Sequence, residues 1–383
     1  MNVICFDLPN CNFNNLISLH QAGHTVYLIT QADTSYIASL GITVLSDIGS
    51  AYNITRDNLP EITDLVTNLN IDIMIVTMPT LGFLHTAFAD SLTYIGPSEQ
   101  ASRLESHRIF TKQIASFARV KTPEILHQCS KSEFDSTIWP KPLIIKPVNA
   151  WQSAVIVLEG QDDLLTEYFE NTSEHYIYVE EYISDKIETN VFFVIVNGEF
   201  RITHTQQITG EDRNKTIGQD REWYYDTHIQ PLTPDADHLV RSQAEMLLTK
   251  ISELGGCYEG SLCGFLTPEG YWYLAEINVR PDIQNSVPSG DHWLEAMTGN
   301  IDLITPQQFI KVIPTLGDPS LVSTERYPME LHDLYEVSPP SSLTSDYLTV
   351  SGSCMVVSSN RSAMDAYVSE LESTTNYRVN RPY

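Results

Sequence analysis

The chain has 383 residues, of which 42% are hydrophobic, enough core for about two to four domains. Its 49 Asp and Glu outnumber 22 Lys and Arg, and the net charge of −27 opposes binding to a nucleic-acid backbone or an anionic membrane. No run of about 18 apolar residues occurs, so no transmembrane helix is expected.

The opening MNVICFD lacks the charged region and long apolar stretch of a secretory signal. The six cysteines, Cys5, Cys11, Cys129, Cys257, Cys263 and Cys354, form no C-x-x-C pair, so a zinc site is not expected. They read as reduced thiols, and the expected location is cytoplasmic.

Val3–Phe6 reads as a short strand, followed by a polar loop at Asp7–Asn15. A helix is predicted over Leu16–Ala22, with Gly23 where a C-cap glycine would sit. Val26–Thr30, Thr43–Leu45, Ile71–Thr77 and Tyr94–Pro97 read as strands, and Ile37–Leu40 and Leu59–Leu69 as helices. This alternation predicts a doubly wound parallel sheet over residues 1–97.

Ser98 is a suitable N-cap, and Glu99–Ala118 reads as one helix with Leu104, Ile109, Phe110, Ile114 and Phe117 on its apolar side. Lys112 lies on that helix, and Lys146 ends the apolar strand Leu143–Lys146. Either lysine is compatible with simple solvation. Val155–Leu158 resumes as a strand, and Leu164–Phe169 reads as helix. Tyr176–Ile183 and Val191–Val196 read as strands, the second closed by the hairpin turn Asn197-Gly198. The segment Thr209–Arg221 holds Arg213, Lys215 and Arg221, locally basic in an acidic chain. It suits an anionic substrate or carboxylate, and equally pairing with Glu211, Asp212 and Asp220.

Pro234–Leu254 reads as an amphipathic helix. It leads into the stretch YEGSLCGFLTPEGYWYLAEINVR, Tyr258–Arg280. Leu262–Thr267 and Tyr271–Ile277 read as two strands joined by a turn at Pro268-Glu269-Gly270. Side chains alternate along a strand, so Glu276, Asn278 and Arg280 are expected on one face. One carboxylate, one amide oxygen and one guanidinium suit Mg²⁺ and the phosphate oxygens it accepts.

This stretch resembles the metal-binding hairpin of the ATP-grasp ligases, most of all phosphoribosylamine–glycine ligase, whose pattern ends T-x-(D/E)-G and E-(F/I)-N-x-R. Further likeness lies in GPSEQASRLESHRIFTK, in Val120–Pro123, in Trp139–Pro147, in Tyr176–Ile183 and, near the end, in Ser351–Val357, Ala363–Leu371 and Tyr377–Arg381. The resemblance implies an α/β ATP-grasp fold. It divides the chain into an N-terminal domain (1–97), a nucleotide-binding region (98–304) with a lid at about 120–195, and an α+β C-terminal domain (305–383).

It also implies ATP and Mg²⁺ (or Mn²⁺) as cofactors. Lys112, Lys146 and Ser153 would hold phosphates, Glu180, Glu181, Tyr182 and Ile183 the adenine, and Glu188 the ribose. Glu276 and Asn278 would hold the metal, and Arg280 with Lys146 would act in catalysis. Arg213, Lys215, Arg280, Asp282 and Asn285 would meet the substrates. The expected activity is ADP-forming ligation of a small carboxylate to an amine through an acylphosphate, by a monomer or homodimer, with neither nucleic acid nor membrane as partner. A non-catalytic nucleotide-binding protein and a true phosphoribosylamine–glycine ligase are the alternatives.

The chain departs from the family pattern in four places. Asp7–Asn12 replaces a Gly-rich phosphate loop with a segment lacking Gly and Arg, and His107 replaces the first of two lysines. Val148–Val155 replaces the Gly-rich lid and its lysine, leaving Gln152 and Ser153 as donors beside Trp151. The glycine cluster expected within 209–221 is missing. These changes argue for an acceptor other than ordinary phosphoribosylamine, a modified nucleotide being one option, and fit a specialised and even virus-encoded pathway.

Overall fold

The computed structural model describes residues 1–6, 13–29, 41–45, 54–149, 155–157, 162–171, 175–209, 228–230, 232–281, 291–304, 309–315, 331–338, 343–344, 349–350 and 352–358. Among these, β1 (Asn2–Phe6), α1 (Phe13–Gln21), β2 (Thr25–Ile29), β3 (Thr43–Val44), α2 (Leu59–Asn68), β4 (Ile73–Val76), α3 (Phe83–Phe88) and β5 (Thr93–Pro97) alternate as the apolar runs predict. The strands pair in parallel in the order β3-β2-β1-β4-β5. β1 and β4 are buried along nearly their whole length because helices cover both faces of such a sheet. The short helix α3 has no counterpart among the predicted elements.

The single helix predicted over Glu99–Ala118 is two helices, α4 (Glu99–Ser106) and α5 (Arg108–Phe117). His107 leaves helical geometry at φ −136° and ψ 90°, and its ring Nδ1 accepts the Phe110 N–H at 3.2 Å as the cap of α5. The break lets the backbone meet another strand: Arg108 N–H donates to Val148 O at 3.3 Å, and His107 bridges to Asn149. The rotation also leaves Phe117 75% exposed instead of on the buried side.

β6 (Ile125–Ser130), β7 (Leu143–Pro147), β8 (Val155–Val157) and β9 (Tyr176–Glu180), with α6 (Asp162–Asn171), form a small antiparallel sheet in the order β6-β9-β7-β8. The strand predicted to reach Ile183 stops at Glu180, where Glu181 N–H turns to Glu124 O at 2.9 Å.

β10 (Ile187–Val196), β11 (Glu199–Thr209), β12 (His228–Gln230), α7 (Pro234–Ser252), β13 (Gly256–Leu266) and β14 (Trp272–Asn278) follow. Asn197 and Gly198 both take positive φ, 52° and 84°, the geometry of the tight turn that joins β10 to β11. Thr233 caps α7, and Val240, Ala244, Leu247, Leu248 and Ile251 recur at helical spacing to cover β10, β13 and β14. The antiparallel order is β12-β11-β10-β13, with β14 outside β13. β13 also pairs with β5 through Gly256↔Pro97 and Cys257↔Gly96, so the parallel and antiparallel parts form one continuous sheet.

α8 (Asp291–Met297) packs Trp293, Leu294 and Met297 against Val194, Val196 and the parallel strands. Beyond it, β15 (Phe309–Thr315), β16 (Leu331–Ser338) and β19 (Gly352–Ser358) form an antiparallel sheet, and β17 (Leu343–Thr344) pairs with β18 (Thr349–Val350). The predicted strand at Ser351–Val357 is β19 within one residue. The predicted helices Ile37–Leu40 and Ala363–Leu371 and the segment Tyr377–Arg381 lie outside the described residues.

Candidate active site

Two polar clusters flank the α4–α5 break. The first sits on β14. A bulge at Ala275 shifts the register, after which Cys263 faces Glu276 and Ser261 faces Asn278. Ile277 and Val279 are buried, while Glu276 is exposed and Asn278 and Arg280 are half-buried. The three polar residues thus share one face. Asn278 Nδ2 donates to Ser261 Oγ at 3.1 Å and lies 3.6 Å from Cys263 Sγ, which leaves the amide oxygen for a ligand. An exposed carboxylate and an amide oxygen match a small hard dication completed by phosphate oxygens. Among the described residues, no group of three His, Cys, Asp or Glu side chains converges as a self-sufficient metal site.

Arg280 is fixed from the helix side. Its Nε donates to Glu105 Oε1 at 2.8 Å, and Val279 N–H donates to Glu105 Oε2 at 3.0 Å. Burial pushes the Glu105 carboxyl above its usual range, Arg280 opposes that, and the nearby Glu276 charge adds to it.

The second cluster joins α5 to the small sheet. Glu180 is 1% exposed and meets Lys146 Nζ at 2.9 Å and Lys112 Nζ at 3.3 Å. Burial pushes Glu180 up, but Lys146 and Lys112 outweigh it and hold the carboxyl below its usual range. Burial lowers Lys112 and Lys146 repels it, against the pull of Glu180. Lys112 also donates to Pro123 O. Tyr178, register partner of Lys146, is pushed well up by burial and by Glu180, with Arg108 opposing.

The segment Lys121–Glu124 ties the clusters together. Leu274 N–H of β14 donates to Lys121 O at 2.8 Å, and Glu124 N–H donates to Glu181 Oε2 at 3.2 Å. Lys121 Nζ lies 3.5 Å from the Tyr271 ring centroid, and Lys186 covers the rings of Phe265 and Tyr182 at 4.0 and 4.8 Å. Ile183 is buried, and half-buried Glu188 pairs with Phe265 on the face that continues to Cys263 and Glu276. Ser153, Arg213, Lys215, Asp282 and Asn285 lie outside the described residues.

Sequence reading did not single out Glu105, Ser261 or Cys263. Strand alternation from Glu276 could have found Ser261 and Cys263 once the hairpin register was known. No local pattern marks Glu105, whose partner is 175 positions away.

Comparisons with protein-family models and with curated protein sequences give no match. Solved structures do match over nearly the whole chain. The biotin carboxylase domain of 2-oxoglutarate carboxylase from Hydrogenobacter thermophilus, in complex with MgADP, ADP and bicarbonate, is 13% identical with a TM-score of 0.66, over 99% of this chain and 90% of that one. An L-amino acid ligase from Bacillus licheniformis is 13% identical with a TM-score of 0.65, over 100% of this chain and 98% of that one. N5-carboxyaminoimidazole synthetase from Staphylococcus aureus, complexed with ADP, is 16% identical with a TM-score of 0.61, over 96% of each chain. The chain therefore has the ATP-grasp fold.

Proposed function

We propose that this protein is an ATP-dependent, ADP-forming carboxylate–amine ligase. The observation that carries the reading is the convergence of Lys112 and Lys146 on buried Glu180 at the end of β9, in a fold whose solved examples include ligases crystallised with ADP. Strand-end and helix lysines are ordinarily solvated, and these two are turned inward, 11% exposed each.

In this reading Lys112 and Lys146 hold the phosphates, residues 180–183 border the adenine and Glu188 meets the ribose. Glu276 and Asn278 would hold Mg²⁺ (or Mn²⁺), which supplies charge neutralisation at the phosphates. Arg280, held by Glu105, stabilises charge that develops as the carboxylate takes up phosphate. Phosphoryl transfer of this kind depends on positioning and electrostatics more than on covalent help.

The hairpin's resemblance to phosphoribosylamine–glycine ligase, and the likeness to an amino acid ligase, support an amino acid as the carboxylate. Asp7–Asn12 lacks the Gly and Arg that a phosphate-bearing acceptor would need, so ordinary phosphoribosylamine is not the expected acceptor.

The test is ADP release with ATP and Mg²⁺ across a panel of amino acids crossed with amines. Release that requires both an amino acid and an amine supports the ligase. Nucleotide binding without release across the panel would identify a non-catalytic nucleotide-binding protein instead.

A further inference from the structure

The face of β14 that carries Glu276 continues inward across the sheet. Glu276 faces Cys263 of β13, Cys263 faces Asn190 of β10, and Asn190 faces Gln206 of β11. Directly opposed residues of neighbouring strands share a face, so the four form one polar row. The other face is the core side: Trp272 Nε1 donates to Thr189 Oγ1 at 2.8 Å, and Val191 belongs to the core that Val240 and Leu247 of α7 complete. Burial deepens along the row, from exposed Glu276 through half-buried Cys263 to Asn190 at 6% exposed. Asn190 Oδ1 accepts no hydrogen bond among the described residues. A buried acceptor without a donor costs stability, so its presence here points to a donor brought by a ligand.

Glu188, two residues before Asn190 on β10, lies on the same face. In the ligase reading Glu188 meets the ribose, while Glu276, two strand spacings or about 10 Å from Asn190, meets the metal and the phosphates. A nucleotide laid between them passes over Asn190. Its ionised phosphates have no proton to donate, and its adenine lies at residues 180–183 in that reading. The donors left for Asn190 are the two ribose hydroxyls. A vicinal diol has two protons to place, and Glu188 with Asn190 offers a carboxylate and an amide side by side. An amide in either orientation serves a hydroxyl, which both donates and accepts.

We infer that Asn190 reads the sugar of the nucleotide: it hydrogen-bonds a ribose hydroxyl beside Glu188 and makes the site prefer ribonucleotides to deoxyribonucleotides. The inference rests on the ligase reading and names a specificity which that reading leaves open. A site built around a hydroxyl rejects the analogue that lacks it, because its own buried polar group is then left unpaired.

Calorimetric titration of the full chain with ADP, 2′-deoxy-ADP and 3′-deoxy-ADP, each with Mg²⁺, reads this without turnover. ADP is expected to bind about tenfold more tightly than at least one of the two deoxy analogues. Asn190→Leu keeps the shape of the side chain and removes the acceptor. It is expected to weaken ADP about tenfold, leave that analogue unchanged, and so abolish the preference. Its urea midpoint should not fall, because Oδ1 gives up no hydrogen bond among the described residues. Equal binding of all three nucleotides by the natural chain, or a preference that survives intact in Asn190→Leu, overturns the inference and leaves the ligase reading standing. Equal weakening of ADP and both analogues also overturns it, since Asn190 would then face another part of the nucleotide. If Asn190→Leu fails to fold, Asn190→Ala, which lacks the acceptor and adds no bulk, takes its place with the same outcomes. Should none of the three nucleotides bind, the ligase reading fails and the inference with it.

Discussion

Glu105 and Arg280 are 175 positions apart in the chain and 2.8 Å apart in the fold. The same carboxylate accepts the Val279 N–H, so one side chain at the end of α4 fixes both the backbone and the guanidinium at the exit of β14. Removing the carboxylate would take one acceptor from both an N–H and a cation. Glu105→Ala is expected to lower stability by about 3 kcal/mol, the low end for a broken buried pair because Arg280 is partly exposed. It should also cut ADP release far more than nucleotide affinity. Urea midpoints and nucleotide titrations separate the two effects, and equal loss in both would remove Arg280 from the chemistry.

Glu180 gives a pH prediction with a definite sign. Its carboxyl is held below the usual range in the fold, so the unfolded chain takes up that proton first as pH falls. The stabilisation is fully present above the unfolded value of about 4.3, and is lost as pH falls through the folded value. Glu105 is raised, so its contribution runs the other way, weakening the fold as pH rises from about 4.3 through its folded value. Glu180→Gln should therefore flatten the acid limb of the stability curve. It should also destabilise the chain at neutral pH by about 3–5 kcal/mol, because two lysines would share a buried site without their counter-charge. Urea midpoints across an acid series check this, and an unchanged slope would contradict it.

The elements with strong local signals were legible before any coordinates. Alternating apolar runs marked β1, β2, β4 and β5, the Asn197-Gly198 dipeptide marked the β10–β11 turn, and the spacing of Val240–Ile251 marked α7. What local reading could not supply depends on partners distant in sequence. The α4–α5 break exists because His107 and Arg108 meet Asn149 and Val148, which helix propensity does not register. Likewise the end of β9 at Glu180 follows from Glu181 N–H bonding to Glu124 O, and the role of Glu105 from Arg280. Of the candidate site, the hairpin face was readable from strand period alone, while the pairing of its residues with helix positions was not.

The junction of the two sheets rests on Gly256. Its φ is +99°, and a Cβ there would lie 2.6 Å from Ser98 N and 2.7 Å from Gly96 O. Both neighbours are backbone, so neither can swing aside. Gly256→Ala should cost more than about 2 kcal/mol, combining left-handed strain with a backbone clash. Because β13 pairs with β5 only at Gly256 and Cys257 in the described register, the loss should appear as faster hydrogen exchange at the β5–β13 amides than in β1 or β4. Uniform protection across β1, β4, β5 and β13 would show that the junction bears little of the load.

The proposed metal donors can be tested apart from turnover. Glu276 is exposed and Asn278 spends its amide nitrogen on Ser261, so each has oxygen to offer a cation. Asn278→Ala would remove that oxygen and also take a hydrogen bond from fully buried Ser261, so folding should weaken by about 1 kcal/mol. Glu276→Gln would remove charge at nearly constant shape, and should also relieve Glu105, whose carboxyl the Glu276 charge pushes up. Both variants should weaken Mn²⁺ binding in the presence of ADP, measured by the paramagnetic relaxation of water protons. ADP release should fall by about 10²–10³, the range for losing one group that stabilises transition-state charge. If Mn²⁺ with ADP bound both variants as tightly as the natural chain, the cation would have to sit elsewhere, and the shared face of β14 would be only a polar surface.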